Sequence, residues 1–432
     1  MELTLEQVGI VGAIKNVQVQ AITGAGLTTT LTKIVERNPD RRILYLTATE
    51  QDRKLLKRSF RLLQLSHARV ETPCSLARKK LGLKVFQVRQ HPFAPHEIIE
   101  LLSIQSSDVV KNLRIAYFCG QLLHYFSNSS HQTLEENRFE KTIYDTESIA
   151  FYWKHAEEIV QYTQMILNMM QQLSIPILPS YCLKLYERLN PKLNSDLILV
   201  DGAQHINPCF ANVLRRQDVV QIIGGDPNLH QFRGGQVGNL LYQCRHPKKT
   251  LSTSFRFEPD IANQARMVLG MKKMLFENFE APSILGTKQV PGIKTLAVIG
   301  KQKHTVLNSA MILMAHHKNL AKLHFEGGFK KYLVTDDGIS IYDILYLYIG
   351  ERSRIQHPFI RSISSINELE EYAAAIDAED CLGFIDIVKR HRKGLPDLIR
   401  ELRRNLIKRK DPKDMADVIY ASLAETLHQT YD

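Results

Sequence analysis

Thr23 to Leu31 reads TGAGLTTTL. A phosphate-binding loop has the form GxxxxGK[ST], in which the lysine meets the β- and γ-phosphates and the following hydroxyl meets Mg²⁺. Gly26 and Thr28 stand at the expected places, and Leu27 stands between them where the lysine belongs. On either side lie two strand-like runs, "VQVQAIT" (Val17 to Thr23) and "RRILYLT" (Arg41 to Thr47), with a helical stretch from Thr28 to Glu36 between them. Strand, glycine turn, helix and strand make a βαβ unit, which calls for a parallel sheet.

Further along, "DLILVD" (Asp196 to Asp201) and "VVQIIGGD" (Val219 to Asp226) are continuous apolar runs that end in carboxylates. Such runs suit strands buried on both faces of a parallel sheet, and a nucleotide site is expected at their carboxyl ends. Between the two halves, from about Ser75 to Asn194, the pattern is helical. Ile159, Tyr162, Ile166, Met169 and Leu173 recur at three- and four-residue steps and predict one apolar helix face turned to a core. A second αβ region begins near "IKTLAVIG" (Ile293 to Gly300), continues through "AKLHFEGG" (Ala321 to Gly328), and turns helical and charged from Ile341 to about Lys413. A last apolar run, "DVIYASL" (Asp417 to Leu423), lies near the end; no internal repeat or low-complexity linker interrupts the chain.

With 432 residues, 44% of them hydrophobic, the chain can build two or three cores. No run of eighteen apolar residues and no charged-then-apolar leader is present, so a membrane partner is not expected and the chain reads as intracellular. Six cysteines lie far apart without CxxC or His-paired spacing, which points to buried thiols rather than a zinc site or disulfide framework. The 56 Lys+Arg against 45 Asp+Glu leave a net charge of +11, a surface suited to a polyanion. Much of the excess falls between Lys389 and Lys413, which reads equally as a solvated helix face or a phosphate-contacting patch. The same run reads as a nuclear signal, favouring the nucleus over the cytoplasm.

The order of the motifs is more specific than any one of them. "LTLEQ" (Leu3 to Gln7), "TGAGLTTTL", "DLILVDGAQHINP" (Asp196 to Pro208), "GGDPNLHQFRGG" (Gly224 to Gly235) and "LSTSFRF" (Leu251 to Phe257) resemble the ordered motifs of UvrD-like superfamily 1 DNA helicases. "SYCLKLYERLNPKLNSDLILVD" (Ser180 to Asp201) and "INELEEYAAAIDAED" (Ile366 to Asp380) extend the resemblance, most of all to F-box DNA helicases, although an F-box is absent. The resemblance implies an α/β fold of two RecA-like parallel-sheet domains, the second incomplete, each with a helical insertion. The boundaries it implies are 1–75 plus 195–262 for the first domain, with 76–194 inserted, and 263–330 plus 414–432 for the second, with the basic segment 331–413 inserted. ATP with Mg²⁺ is the implied ligand between the domains, with single-stranded DNA, in preference to RNA, across them.

By the same resemblance Gln7 matches the glutamine that reads adenine, and Gly24, Gly26, Thr28 and Thr29 belong to the phosphate loop. Thr28 and Asp201 match the Mg²⁺-holding pair, and Gln204 belongs to the acidic box. Arg256 matches an arginine that reaches the γ-phosphate; by residue type it serves equally as a structural ion-pair partner. Arg233, Lys389, Arg390, Arg392, Lys393, Arg403 and Arg404 are the candidate nucleic-acid contacts.

The departures concern chemistry. Leu27 offers no cation, and phosphoryl transfer depends on positioned charge. The family's DEAQD box reads Asp201, Gly202, Ala203, Gln204, His205, so the glutamate that orients the attacking water is missing, and Gly202 cannot act as a base. The TFNK-like motif reads Thr47, Ala48, Thr49, Glu50, and the TFHS-like segment Thr72, Pro73, Cys74, Ser75. The segment after Asp226 is two residues shorter than the family's and lacks its Ile-Tyr pair. The HKAKGLEFD motif falls on "AETLHQTYD" (Ala424 to Asp432), where Asp432 alone agrees. The expectation is a pseudo-helicase: a binding or scaffold protein on nucleic acid or a nucleoprotein complex, holding ATP without hydrolysing it. An unpaired sheet edge at "DVIYASL" predicts a covering protein partner or second copy. The rival reading is an active ATP-dependent DNA helicase in which Lys33 replaces the loop cation and Asp226 the base. A purely protein-binding module is the third.

Overall fold

The computed structural model describes residues 2–12, 15–89, 91–104, 108–136, 138–229, 240–276, 279–288, 296–316, 322–407 and 418–422. They form two compact units, one drawn from positions 1–90 and 121–291, the other from 91–120 and 292–431.

The first unit carries six parallel strands in the order β3-β2-β4-β5-β1-β6. These are β1 (Val17–Ala21), β2 (Ile43–Thr47), β3 (Ala68–Glu71), β4 (Leu197–Asp201), β5 (Val220–Gly225) and β6 (Lys248–Leu251). Every residue of β2 is buried, as are the first four of β4. That is why both read as unbroken apolar runs rather than as alternating ones. From β1 the chain crosses to β2 on the β5 side, and β6 lies on the other side. A reversal of this kind opens a crevice at the carboxyl end of the strand where it occurs. Register brings Asp201 level with Thr47 and Gly224, and Val19 level with Gly224, so the ends of β1, β4 and β5 share one edge. Helix α1 (Leu5–Val11) and helix α2 (Leu27–Glu36) flank β1. Leu31 and Ile34 on α2 pack into the core with Val19, Tyr45 and Leu199.

Helices fill the chain between β3 and β4. The helix Ala156–Gln171 buries Ile159, Thr163, Ile166, Leu167 and Met170, which corrects the predicted stripe. Tyr162 and Met169 are only partly buried, and Leu173 lies beyond the helix at φ 59°. Thr163 takes an inward place because its hydroxyl donates to the Ile159 carbonyl at 2.7 Å, satisfying its one donor within the helix. A short pair, β7 (Thr253–Ser254) and β8 (Leu285–Gly286), follows β6.

The second unit holds a parallel sheet of β9 (Leu296–Gly300), β10 (Leu323–Phe325) and β11 (Val418–Ser422) in the order β10-β11-β9. The expected bare edge at "DVIYASL" is therefore corrected. β11 is the middle strand, paired with β10 on one side and β9 on the other. Tyr420 on it is buried and stacks on Phe325, with ring centroids 4.9 Å apart. The helices Ile341–Ile349, Ile366–Ala375, Glu379–His391 and Leu395–Arg404 complete this core with Ile344, Tyr372, Phe384 and Ile399. Among the described residues no helix is long and apolar enough to cross a membrane. All six cysteines are free thiols, four of them buried.

Candidate nucleotide-binding site

The loop between β1 and α2 is shaped by two glycines in left-handed conformation, Gly24 at φ 79° and Gly26 at φ 74°. Both also allow a close approach. A Cβ on Gly24 would come within 2.7 Å of Arg256 Cγ and Ser254 Oγ, and one on Gly26 within 2.7 Å of Gln7 Nε2. The segment after β6 is bound to this loop directly. The Ser254 hydroxyl donates to the Thr23 carbonyl at 2.9 Å, and the Phe255 N–H donates to the Gly24 carbonyl at 3.0 Å. Gly26 precedes α2 and supplies no side-chain cap. The first N–H groups of α2 thus keep the open donors and positive dipole end that attract phosphate.

Beside the loop, Thr28 Oγ1 donates to Asp201 Oδ2 at 2.7 Å, and the Tyr45 hydroxyl donates to the same oxygen at 2.8 Å. Burial raises the Asp201 carboxyl above the usual aspartate range, and the two hydrogen bonds pull against that rise. Burial, followed by the Asp201 charge, pushes the Tyr45 phenol well up, so Tyr45 is a neutral donor. A hydroxyl and a carboxylate in contact at the mouth of a phosphate loop form a hard-oxygen donor set that fits Mg²⁺. Thr28 and Asp201 are the residues that would hold it.

Leu27 lies elsewhere. Its side chain rests on β5, so close that a Cβ on Gly224 would come within 2.6 Å of Leu27 Cδ1 and 3.1 Å of Cδ2. The leucine is half-buried and packs against the sheet core. Gly202 follows Asp201 at φ 87° and leads into a single 3₁₀ turn. The residues the rival reading needs as substitutes are engaged. Lys33 is paired with Glu36 at 2.6 Å in the last turn of α2, about 9 Å along the helix axis from position 27. Asp226 accepts from the Thr23 N–H at 3.1 Å and from the Asn228 N–H at 2.9 Å, which fixes it under the loop.

Of the other sequence-predicted residues, Gln7 reaches the loop. Its Oε1 accepts from the Thr4 N–H at 2.9 Å and its Nε2 donates to the Ala25 carbonyl at 3.4 Å, so both ends of the amide are used. Gln204 is buried and accepts from the Asp226 N–H at 3.2 Å, a strut beneath the site. Thr29 is exposed at the head of α2. Arg256 is exposed beside Gly24, and among the described residues its guanidinium has no ion-pair partner. Arg233 lies outside the described residues. Lys389 and Arg390 are neutralised by Glu370 and Asp386, each at 2.6 Å. Arg392, Lys393, Arg403 and Arg404 are exposed.

Tyr45 was not singled out from sequence. Its signal was a hydroxyl inside the wholly apolar run "RRILYLT", a group that needs a partner when buried. That the partner is Asp201 follows only from β2 lying beside β4. Among the described residues no group of three or more His, Cys, Asp or Glu is placed to hold a metal ion, so Mg²⁺ would rest on the Thr28 and Asp201 pair and on a bound phosphate.

These elements define a mixed α/β protein with RecA-like parallel sheets and a phosphate-loop crevice. The chain is similar to F-box DNA helicase 1 of Gallus gallus, with 25% identity over 421 residues, 89% of this chain and 39% of that protein. The chain thus spans well under half the length of the relative it matches. No protein-family model matches it.

Proposed function

We propose that this chain is a catalytically silent, helicase-like protein that holds ATP without hydrolysing it and serves as a binding or scaffold subunit on nucleic acid. The observation that carries the reading is Leu27 lying on Gly224, with a glycine at position 202, in a loop otherwise built to receive phosphate. Catalysis of phosphoryl transfer rests on positioned cations and an oriented nucleophile. Neither position supplies one.

Binding is another matter. The open end of α2 and the exposed Arg256 beside Gly24 favour a polyphosphate. Mg²⁺, held by Thr28 and Asp201, would neutralise phosphate charge. DNA is favoured over RNA by the similarity to a DNA helicase, and the nucleus is the proposed compartment. A protein partner or second copy would cover the sheet of the second unit, where Leu296 and Ile299 on β9 are exposed and β9 carries no second ladder among the described residues.

The test joins two measurements on the full chain: thermal shift with Mg·ATP, and orthophosphate release with and without single-stranded DNA. A raised midpoint without turnover is expected. Turnover abolished by Asp201→Ala would overturn the reading.

A further inference from the structure

In the second unit the helix Ile341–Ile349 places Tyr342 and Tyr346 four residues apart on one face, both half-buried against the core with part of each ring open. Cations surround this pair. Arg354 lies over the Tyr346 ring, 4.2 Å from its centroid, and donates to its hydroxyl at 2.8 Å. Burial raises the Tyr342 phenol, and the charges of Arg403 and Arg400 pull against that rise, which sets both guanidiniums beside the ring. Arg403 and Arg404 have no ion-pair partner among the described residues. The only acids paired with this group are Asp397, with Arg400, and Glu351, with Arg354, both exposed and readily exchanged for a phosphate.

We propose that Tyr342 and Tyr346, with Arg354, Arg400, Arg403 and Arg404 around them, form a stacking platform for single-stranded nucleic acid. The inference rests on the nucleic-acid part of the function proposed above and gives it a place. Aromatic faces interleaved with arginines suit an unpaired strand, because every base has a π-face and every linkage a phosphate. Spacing favours a single strand over a duplex. Residues four apart on a helix are separated by about 6 Å along its axis, nearly twice the ~3.4 Å rise of a duplex strand, so the two rings match bases drawn apart. The surface also differs from the basic run read as a whole, since Lys389 and Arg390 in that run are neutralised by neighbouring acids.

The experiment measures fluorescence anisotropy of a labelled oligothymidine of about twenty nucleotides with the full chain, at low salt and at about 0.2 M salt. Tyr342→Ala and Tyr346→Ala are each expected to weaken binding about tenfold, the lower part of the range for one lost base stack. Tyr→Phe at both positions keeps the rings and is expected to bind as the parent does. Arg403→Glu with Arg404→Glu, both on the surface, is expected to flatten the salt dependence without affecting folding. A 5-iodouracil oligonucleotide is expected to crosslink to the peptide carrying Tyr342 and Tyr346.

If the parent binds oligothymidine while all variants bind equally and crosslinks fall elsewhere, the platform is refuted and the function is not. If the parent retains no oligonucleotide at low salt, the nucleic-acid reading itself fails. Equal competition by polyglutamate would mark an acidic-protein docking surface and overturn the inference.

Discussion

Leu27→Lys returns a cation to the head of α2 and separates binding from catalysis. Leu27 lies on the backbone of Gly224 and is half-buried; a lysine stem can cover much of the same apolar surface while its ammonium reaches past it. At 4 Å from a phosphate oxygen, with an effective dielectric of 20, the attraction is about 4 kcal/mol. The site mouth is open at the exposed Thr28 and Thr29, and halving the figure for solvent screening leaves about 2 kcal/mol, roughly thirtyfold in affinity. Isothermal titration with ATP and Mg²⁺ should therefore show tightening of that order. Phosphate release should stay at background, because Gly202 still lacks a carboxylate and sits at φ 87°, where a glutamate side chain would be strained. A correctly folded Leu27→Lys protein with unchanged affinity would show that the loop does not cradle phosphates. Turnover in that variant would show that the missing glutamate is not what silences the site.

Asp201→Asn should stabilise the protein at neutral pH and abolish the Mg·ATP thermal shift. Burial raises the Asp201 carboxyl, so its ionised form costs stability above the folded-state pKa, and that cost vanishes below the unfolded value of about 3.9. The gain in melting temperature over the parent should accordingly appear as pH rises from about 4, and a gain confined to acid would refute the assignment. Lys184→Met should destabilise the first unit by on the order of 3–5 kcal/mol in urea unfolding. Lys184 and Glu187 are both fully buried, and Lys184 also donates to the Ser129 and His131 carbonyls at 2.6 and 2.9 Å. Lys184→Met with Glu187→Met should recover part of the loss, and no recovery would assign the effect to packing.

Local pattern exposed β1, β2, β4 and β5 in the sequence, because strands buried on both faces leave unbroken apolar runs. β6 escaped notice. Its residues, Lys248–Leu251, pair with β1 on one side at the end of the sheet's strand order, so lysines are tolerated and no apolar run forms. The second sheet was read in its pieces but not in its order. β11 was taken for an edge because the neighbours of a strand are set by tertiary pairing and not by its own residues. In the site, Gly26, Thr28 and Asp201 were readable from spacing alone. The direction of the Leu27 side chain was not, because it depends on Gly224, which lies on a strand far along the chain that becomes a neighbour only through the sheet. Ion pairing likewise divided the basic run into spent and available charges, a distinction composition does not carry.

The central position of β11 has a consequence for biosynthesis. β9 and β10 cannot zip together without it, and it leaves the ribosome roughly a hundred residues after β9. At about 5–20 residues per second that is a wait on the order of ten seconds. Throughout that interval two apolar strands emerge unmatched, so a nascent second unit should be a substrate for chaperones, and one halted before residue 418 should be prone to clump.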